Sequence, residues 1–528
     1  MSQHDEPIGG PKGEALTYQS LLFKGGYLIT DIRTSRIENE SVNHVLSRWK
    51  KTAARSYLIF CDPAVDLHEQ EDGETKIVLI GRVLDPINNE DRISEILAHL
   101  LGFYRKSENY FFDYLDKLTG RFVLLLASPT RNFVLQDATG NRSLFYNNRA
   151  SDLIISSHIQ LIADIKGHQI PEERRAFIAS KSYQSHVRHF PGTLTPYIEI
   201  DALTPNTLLG LDEFRVARFF PRDRFVRRKL SGDLIDEISS ILTRQIKLLS
   251  TKQPLGVSLT GGIDSRLTLA TSRELKDSIL YYTFATDRNS FEQRDAELAQ
   301  KICRDVGVRH LIIRGIETPI SDEDHQFLQV FRRNTAFMRA DRQGMIAKAL
   351  HEQYPHGHLH LKSNVSELGK GLYRSKEYFL PGKANPQMLA HLYGTNAKSG
   401  FCVAAFQDFI KRTDLKHAVS MGYDIYDLFH WEHRLGCWQA LQLLDFDMSQ
   451  DTMIPYNNRY LLGKMMSIEP AKRHSHALYF SIIRHVWPEV LQFPCNPWQK
   501  KGLLTKFMRR IARGLYWRIM TTVHRSTY

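Results

Sequence analysis

No run of 18 or more apolar residues occurs in the 528-residue chain, so a transmembrane helix is not expected. Cysteine is sparse and odd in number. Cys61, Cys303, Cys402, Cys437 and Cys495 are scattered and no Cys-x-x-Cys pair occurs. That excludes a disulfide scaffold and predicts free thiols in a reducing cytoplasm. Met1-Ser2-Gln3-His4-Asp5-Glu6 has neither a basic nor an apolar stretch, so a secretory signal is not expected. Acids are missing altogether from residues 500–528, where Lys500, Lys501, Lys506, Arg509, Arg510, Arg513, Arg518 and Arg525 supply eight of the net twelve positive charges. The rest of the chain is only mildly basic, so nucleic acid is not an expected partner.

What is present is ordinary for a globular protein, with 42% hydrophobic and 24% charged residues. At roughly 150 residues per domain the length fits two to four domains. Residues 1–18, with Pro7, Gly9, Gly10, Pro11 and Gly13, read as a flexible leader. Residues 19–225 carry short β-type runs at 56–60, 77–80, 122–126 and 153–155, interrupted by one amphipathic helix at about 93–101. Residues 226–499 change period. Leu234, Ile235, Ile238, Ile241, Leu242 and Ile246 share a helical face. Strand patterns at 255–259, 279–284 and 310–313 then alternate with helices, which predicts βαβ units on a parallel sheet. The pattern after about 385 is mostly helical. In 500–528 an apolar face of Leu503, Leu504, Phe507, Ile511, Leu515 and Ile519 is ringed by arginines. A basic amphipathic helix of this kind is expected to meet an anionic membrane surface or a partner.

The segment that carries chemistry is Leu255-Gly256-Val257-Ser258-Leu259-Thr260-Gly261-Gly262-Ile263-Asp264-Ser265-Arg266. A strand runs into a Gly-Gly turn and then a helix. Glycines let phosphate oxygens approach backbone N–H groups at the helix start, where the dipole favours an anion. Thr260 and Ser265 offer hydroxyls to the same anion. Asp264 suits the site if Mg²⁺ lies between carboxylate and phosphate. The Gly-Lys-Ser/Thr element of a Walker A loop is missing. Arg266 reads either as a phosphate ligand or as a surface helix residue.

This Thr-Gly-Gly-x-Asp-Ser loop resembles the pyrophosphate loop of N-type ATP pyrophosphatases, and the wider chain is similar to the asparagine synthetase B family, which includes β-lactam synthetases, lasso-peptide cyclases and sugar-acid amidotransferases. Arg294-Asp295-Ala296-Glu297 resembles that family's acidic helix. Ser363-Asn364-Val365-Ser366-Glu367-Leu368-Gly369-Lys370-Gly371-Leu372-Tyr373 resembles its second active-site loop, and Ile454-Pro455-Tyr456-Asn457-Asn458-Arg459 its Pro-Phe-x-Asp element. Leu118-Thr119-Gly120-Arg121-Phe122 and Gln136-Asp137-Ala138-Thr139-Gly140-Asn141-Arg142-Ser143-Leu144-Phe145-Tyr146 are similar to its glutaminase half. The resemblance implies α/β with α+β architecture: a glutaminase-like β-sandwich of Ntn type, then a parallel-sheet, helix-rich PP-loop synthetase domain of the adenine-nucleotide α-hydrolase-like kind.

It also implies ATP and Mg²⁺ as cofactors and an amide-forming ligase that adenylates a carboxylate for attack by ammonia or an amine. Asp264 and Glu367 would hold the metal. Thr260, Gly261, Gly262 and Ser265 would cradle pyrophosphate, with Ser258, Thr283 and Phe284 near the nucleotide. Lys472 or Arg473 would be the catalytic cation, and Glu432 and Arg434 would face the substrate. Two departures stand out. Position two is Ser2 and no cysteine precedes Cys61, so the glutaminase half is expected to have lost its nucleophile. Ser366 stands where the family has a metal-binding Asp.

The expected substrate is a sugar acid of surface-polysaccharide synthesis or a peptide in macrocyclisation. The alternatives are asparagine formation from ammonia and a non-catalytic scaffold acting through 500–528. The expected location is the cytoplasm, peripheral at the inner face of the membrane, with a homodimer as one arrangement. His356, His358 and His360 read as one polar strand face, and Asp445 and Asp447 as a solvated pair.

Overall fold

A computed structural model describes residues 18–32, 37–150, 152–286, 289–315, 320–376, 380–382, 384–394 and 399–495, without the side chains of 186, 187 and 376. Residues 1–17 of the expected leader and the basic segment 500–528 lie outside these. No described helix is long and apolar enough to cross a membrane.

The short β runs of the first half build two six-stranded antiparallel sheets. One runs Ile200–Ala202, Phe145–Asn147, Ile154–Ser156, Tyr27–Asp31, Tyr57–Cys61, Lys50–Ala54 from edge to edge. The other runs Arg215–Arg218, Thr207–Gly210, Asn132–Gln136, Thr119–Ala127, Thr75–Leu84, Leu67–Asp72. Side chains alternate between faces, and both faces of both sheets find apolar cover. Tyr27, Ile29 and Ile59 of the first sheet share a core with Val78, Ile80, Val123 and Leu125 of the second. On the outer faces, Leu28, Ile154 and Ile200 meet the helix Ile159–Lys166. Ile77, Leu79, Leu124 and Leu126 meet the helices Ile93–Lys106 and Glu108–Leu115. Burial on both faces explains why 122–126 is an unbroken apolar run rather than an alternating one.

The second half holds a five-stranded parallel sheet in the order His310–Gly315, Leu280–Thr286, Leu255–Ser258, Leu359–Leu361, Thr452–Met453. The chain starts at the centre, steps outward through two strands, then returns to the other side of Leu255–Ser258. Connections therefore diverge between Leu255–Ser258 and Leu359–Leu361, and such a switch point opens a crevice at the carboxyl ends of the two strands. Leu255, Val257, Leu259, Leu359 and Leu361 pack with Leu267, Ala299, Ile302 and the helix Gly232–Ser250. Tyr282 and Ile313 face Leu350 and Tyr354 on the other side. Gly256 is required there, since a Cβ would fall 2.0 Å from the Tyr354 hydroxyl.

Buried polar staples join the halves. Asn457 Nδ2 donates to Asp137 Oδ1 (2.8 Å), Asn458 Nδ2 to Lys117 O (2.6 Å) and Arg459 Nε to Asn206 Oδ1 (3.0 Å). The 454–459 element is thus an interface clasp. Asp445 and Asp447 are not the solvated pair their alternation predicts. Asp445 is buried against Arg339, and half-buried Asp447 is bidentate on Arg121 at 2.5 and 2.6 Å. Of the three histidines only His360 lies in the Leu359–Leu361 strand. It is buried against Thr452 and Gln450, whereas His356 is exposed. Residues His430–Gln439 follow a π-helical path between the α-helices Ile425–Phe429 and Ala440–Asp447, an uncommon conformation frequent at functional sites.

Candidate functional site

The Leu255–Ser258 strand delivers Leu259–Gly262 to the carboxyl end of the sheet at the switch point, and the helix Ile263–Thr271 starts there with Gly262 as an N-cap that has no side chain. The loop's hydroxyls brace it from within. Thr260 Oγ1 lies 2.9 Å from Ser265 Oγ and accepts from Gly262 N–H at 3.2 Å, while Thr260 N–H donates to Ser265 Oγ at 3.1 Å. Gly261 N–H donates to Asp295 Oδ1 at 2.7 Å. A Cβ at Gly261 would meet that oxygen at 2.8 Å and Leu298 Cδ2 at 2.7 Å, which is why glycine stands there. Thr283 Oγ1 donates to Leu259 O (2.7 Å) and contacts His310 Nε2 (2.9 Å). Burial pushes the His310 imidazole down to about 4. Ser258 Oγ reaches Leu361 O at 3.5 Å, across the switch point, and half-buried Phe284 leans on Gly315.

The second loop leaves Leu359–Leu361 and folds back over the first. Val365 is held at φ +75°, a costly backbone state for a β-branched residue, of order 1–3 kcal/mol. The surroundings enforce it. Ser366 Oγ lies 2.9 Å from Ser363 O, and the buried Tyr479 hydroxyl donates to Ser366 O. The turn ends at Gly371, φ +65°. The strained turn sets two side chains on Asp264. Ser366 Oγ donates to Oδ1 at 2.5 Å and Lys370 Nζ to Oδ2 at 2.5 Å. Ser366, in the place of the expected metal ligand, is therefore a hydrogen-bond donor. Lys370 is the cation of the site, and sequence reasoning passed over it.

Neither expected cation reaches this point. Lys472 is exposed. Arg473 is buried and spent on the turn, with Nε on Gly369 O (3.0 Å), Nη2 on Leu368 O (2.7 Å) and Nη1 on Asp427 Oδ2 (2.7 Å). Lys472→Ala is expected to leave stability within about 0.5 kcal/mol and activity unchanged. Arg473→Leu strands the buried Asp427 carboxylate and costs about 3–5 kcal/mol. Denaturant midpoints of the two variants check the contrast. Arg266 is neither phosphate ligand nor surface residue. It is fully buried, with Nη1 on Phe493 O (2.5 Å) and Nη2 on Pro494 O (2.9 Å).

Glu367 does not join Asp264. It turns toward His430 Nε2, 3.9 Å away on the π-helical segment, and its side chain is 38% exposed. Tyr373 stands beside it, T-shaped on His430 at 5.8 Å, with its phenol pushed up to about 12 chiefly by burial. Arg434 also acts on that phenol and lies over the Trp438 ring at 4.7 Å. Arg434 and Glu367 thus both act on the Tyr373 phenol, but Glu432 stands apart. It is wholly buried, with both oxygens on Arg218 at 2.7 Å and Oε1 also accepting from Asn206 at 3.1 Å. That ion pair binds the two halves of the chain together.

As a metal centre the residues do not fit. Asp264 has both oxygens engaged, one by an ammonium, and Glu367 faces elsewhere. No group of three or more His, Cys, Asp or Glu able to hold a metal occurs among the described residues. Two unit charges about 4 Å apart interact by about 4 kcal/mol at an effective dielectric constant of about 20, and a divalent ion doubles that. Mg²⁺ beside Lys370 would meet that repulsion together with a comparable attraction to Asp264, so the pair offers no net pull on a divalent ion.

One more charged group lines the carboxyl end of the sheet. Lys362 Nζ donates to Gln442 Oε1 (3.2 Å) and lies 4.1 Å from the Phe446 ring centre. Burial, with help from Arg339 and against Asp445, pushes it from 10.5 down to about 7. Between these values the unfolded chain holds a proton that the folded chain has lost, so the resulting penalty is full below about 7 and fades toward 10.5. Lys362→Met is therefore expected to raise stability at pH 7 by about 1–3 kcal/mol, with the gain shrinking as pH approaches 10.5. Unfolding midpoints across that range test it, and a pH-independent gain would contradict it.

No protein-family model and no curated protein matches the chain. Among solved structures it is similar to an NMN synthetase from Francisella tularensis, at 16% identity over 27% of this chain and 59% of that one, with a TM-score of 0.19. It is also similar to a glutamine phosphoribosylpyrophosphate amidotransferase from B. subtilis complexed with ADP and GMP, at 10% identity over 68% and 73%, TM-score 0.20. A third is a glutamine-dependent NAD+ synthetase from Acinetobacter baumannii in complex with ADP, at 13% identity over 56% and 64%, TM-score 0.18. The chain spans less than two thirds of the length of the two synthetases. Likenesses this distant leave the assignment to the residues themselves.

Proposed function

We propose that the chain is an ATP-dependent amide-forming ligase that adenylates a carboxylate. The observation that carries this reading is the Thr260–Ser265 loop at the switch point of the parallel sheet, with Asp264, Ser366 and Lys370 meeting across the crevice. In the first step a substrate carboxylate oxygen attacks the α-phosphorus of ATP, and the bond to the bridging oxygen breaks with its electron pair leaving on pyrophosphate. The start of the helix Ile263–Thr271 and the Lys370 ammonium lie where that departing charge would be stabilised. In the second step an amine or ammonia attacks the acyl carbon, AMP leaves and the nitrogen gives up a proton. Glu367, His430, Tyr373 and Arg434 form a polar group that would orient an acceptor.

The amine would come from solution or from the substrate itself. A sugar acid or a peptide remains the substrate class, with asparagine formation from ammonia behind them. The basic segment 500–528 suits a membrane surface beside such a reaction. A second reading, a non-catalytic scaffold, is favoured by one observation, the ion pair that already occupies Asp264. The test is pyrophosphate release from ATP across aspartate, uronic acids and precursor peptides with ammonium present. Release dependent on one class of acid supports the ligase and names its acceptor. Folded protein with no release for any acid supports the scaffold.

A further inference from the structure

We propose that Lys370 is a built-in cation for the polyphosphate of a nucleoside triphosphate, so that this chain binds the nucleotide without a divalent metal. The inference rests on the ligase reading above and specifies how its nucleotide site is charged.

Three observations carry it. First, the carboxylate expected to recruit a metal is already paired through each oxygen, Oδ1 with Ser366 Oγ and Oδ2 with the Lys370 ammonium, each at 2.5 Å. No second carboxylate assists, since Glu367 faces His430. Second, Lys370 is placed rather than trailing in solvent. Its side chain is 12% exposed and passes 5.7 Å from the Tyr479 ring centre. The turn that carries it is fixed from behind by Arg473 on two carbonyls and by the Tyr479 hydroxyl on a third. A cation fixed this way is oriented before the anion arrives. Third, an ammonium has three N–H donors, and Asp264 is the one hydrogen-bond acceptor Lys370 meets among the described residues. Two donors remain for phosphate oxygens, beside the helix that begins at Gly262.

The pairing with Asp264 gives the device its logic. Alone, a lysine held near 12% exposure would lose hydration without compensation. Beside Asp264 it is paired and aimed. When a polyphosphate arrives the ammonium is shared between the carboxylate and the ligand. A divalent ion in the same place would have to expel it.

The experiment is calorimetric titration of the full chain with α,β-methylene-ATP, which cannot release pyrophosphate, in EDTA and again in excess Mg²⁺. The wild-type dissociation constants are expected to agree within about threefold. Lys370→Met is expected to weaken binding at least about tenfold in EDTA, with Mg²⁺ recovering part of it through the freed Asp264. Lys370→Arg, which keeps the charge, should bind in EDTA within about threefold of wild type. Thermal unfolding of each variant shows that a loss is not a loss of fold. Wild-type binding in Mg²⁺ that disappears in EDTA overturns this inference and leaves the ligase reading standing. No binding under either condition overturns both.

Discussion

Replacing Asp264 with alanine is expected to lower the rate of pyrophosphate release by about 10²–10³-fold at saturating ATP, without raising the KM for ATP. The direction of both effects follows from the geometry. Asp264 Oδ2 holds the Lys370 ammonium in line with the loop, and Oδ1 anchors Ser366 of the second loop. Without the carboxylate the ammonium is free to wander, so the charge that grows on the leaving pyrophosphate meets a disordered donor instead of an aligned one. Nucleotide binding is not expected to suffer equally, because the same substitution removes a negative charge from the side of a polyphosphate. A fall in kcat with KM steady or lower separates this role from simple damage to the site. Damage would raise KM as well, and a variant as fast as wild type would remove Asp264 from the reaction.

The second large effect concerns stability. Glu432→Ala is expected to cost about 3–5 kcal/mol, read as a lower denaturant midpoint, because it leaves the Arg218 guanidinium buried without its carboxylate. Arg218 is 3% exposed and Glu432 0% in their side chains. Arg218 also donates to Thr413 O and Phe220 O, so its position is over-determined and it cannot swing out to water. Glu432→Gln should cost less, since an amide oxygen can still accept from the guanidinium. The combination Arg218→Met with Glu432→Leu is expected to recover much of the loss, as apolar replacement of both partners of a buried pair is often close to neutral. If Glu432→Ala were silent in stability but impaired acceptor use, Glu432 would be a substrate residue after all.

These two predictions divide what the sequence made legible from what it did not. The strands at 255–258, 280–286 and 310–315 and their helices could be read because each is decided locally, by a stretch of apolar residues of the right period between turn signals. The turn at Gly261 and Gly262 between strand and helix was legible for the same reason. Lys370 was not. It lies in a segment that the sequence marked, but a lysine between Gly369 and Gly371 looks like a solvated turn, and what makes it part of the site is a carboxylate 106 positions away. Arg473 had the opposite fate. Its charge and spacing suggested catalysis, and only the carbonyls of Leu368 and Gly369 folded against it reveal a clamp. Asp445, Asp447 and Arg266 share this cause. A charged residue reads as exposed until its partner is known, and the partners Arg339, Arg121 and the carbonyls of 490–494 are each remote in sequence. The one trace available beforehand was local: Arg266 sits inside the same apolar helix as Leu267 and Leu269, where a solvated face had little room.

Adenylation of the carboxylate is decided by the products of ATP. With the accepted acid and an amine present, wild-type protein should convert ATP to AMP and pyrophosphate in equal amounts, matched by the amide formed. Formation of ADP and inorganic phosphate instead would place the attack at the γ-phosphorus and contradict the account.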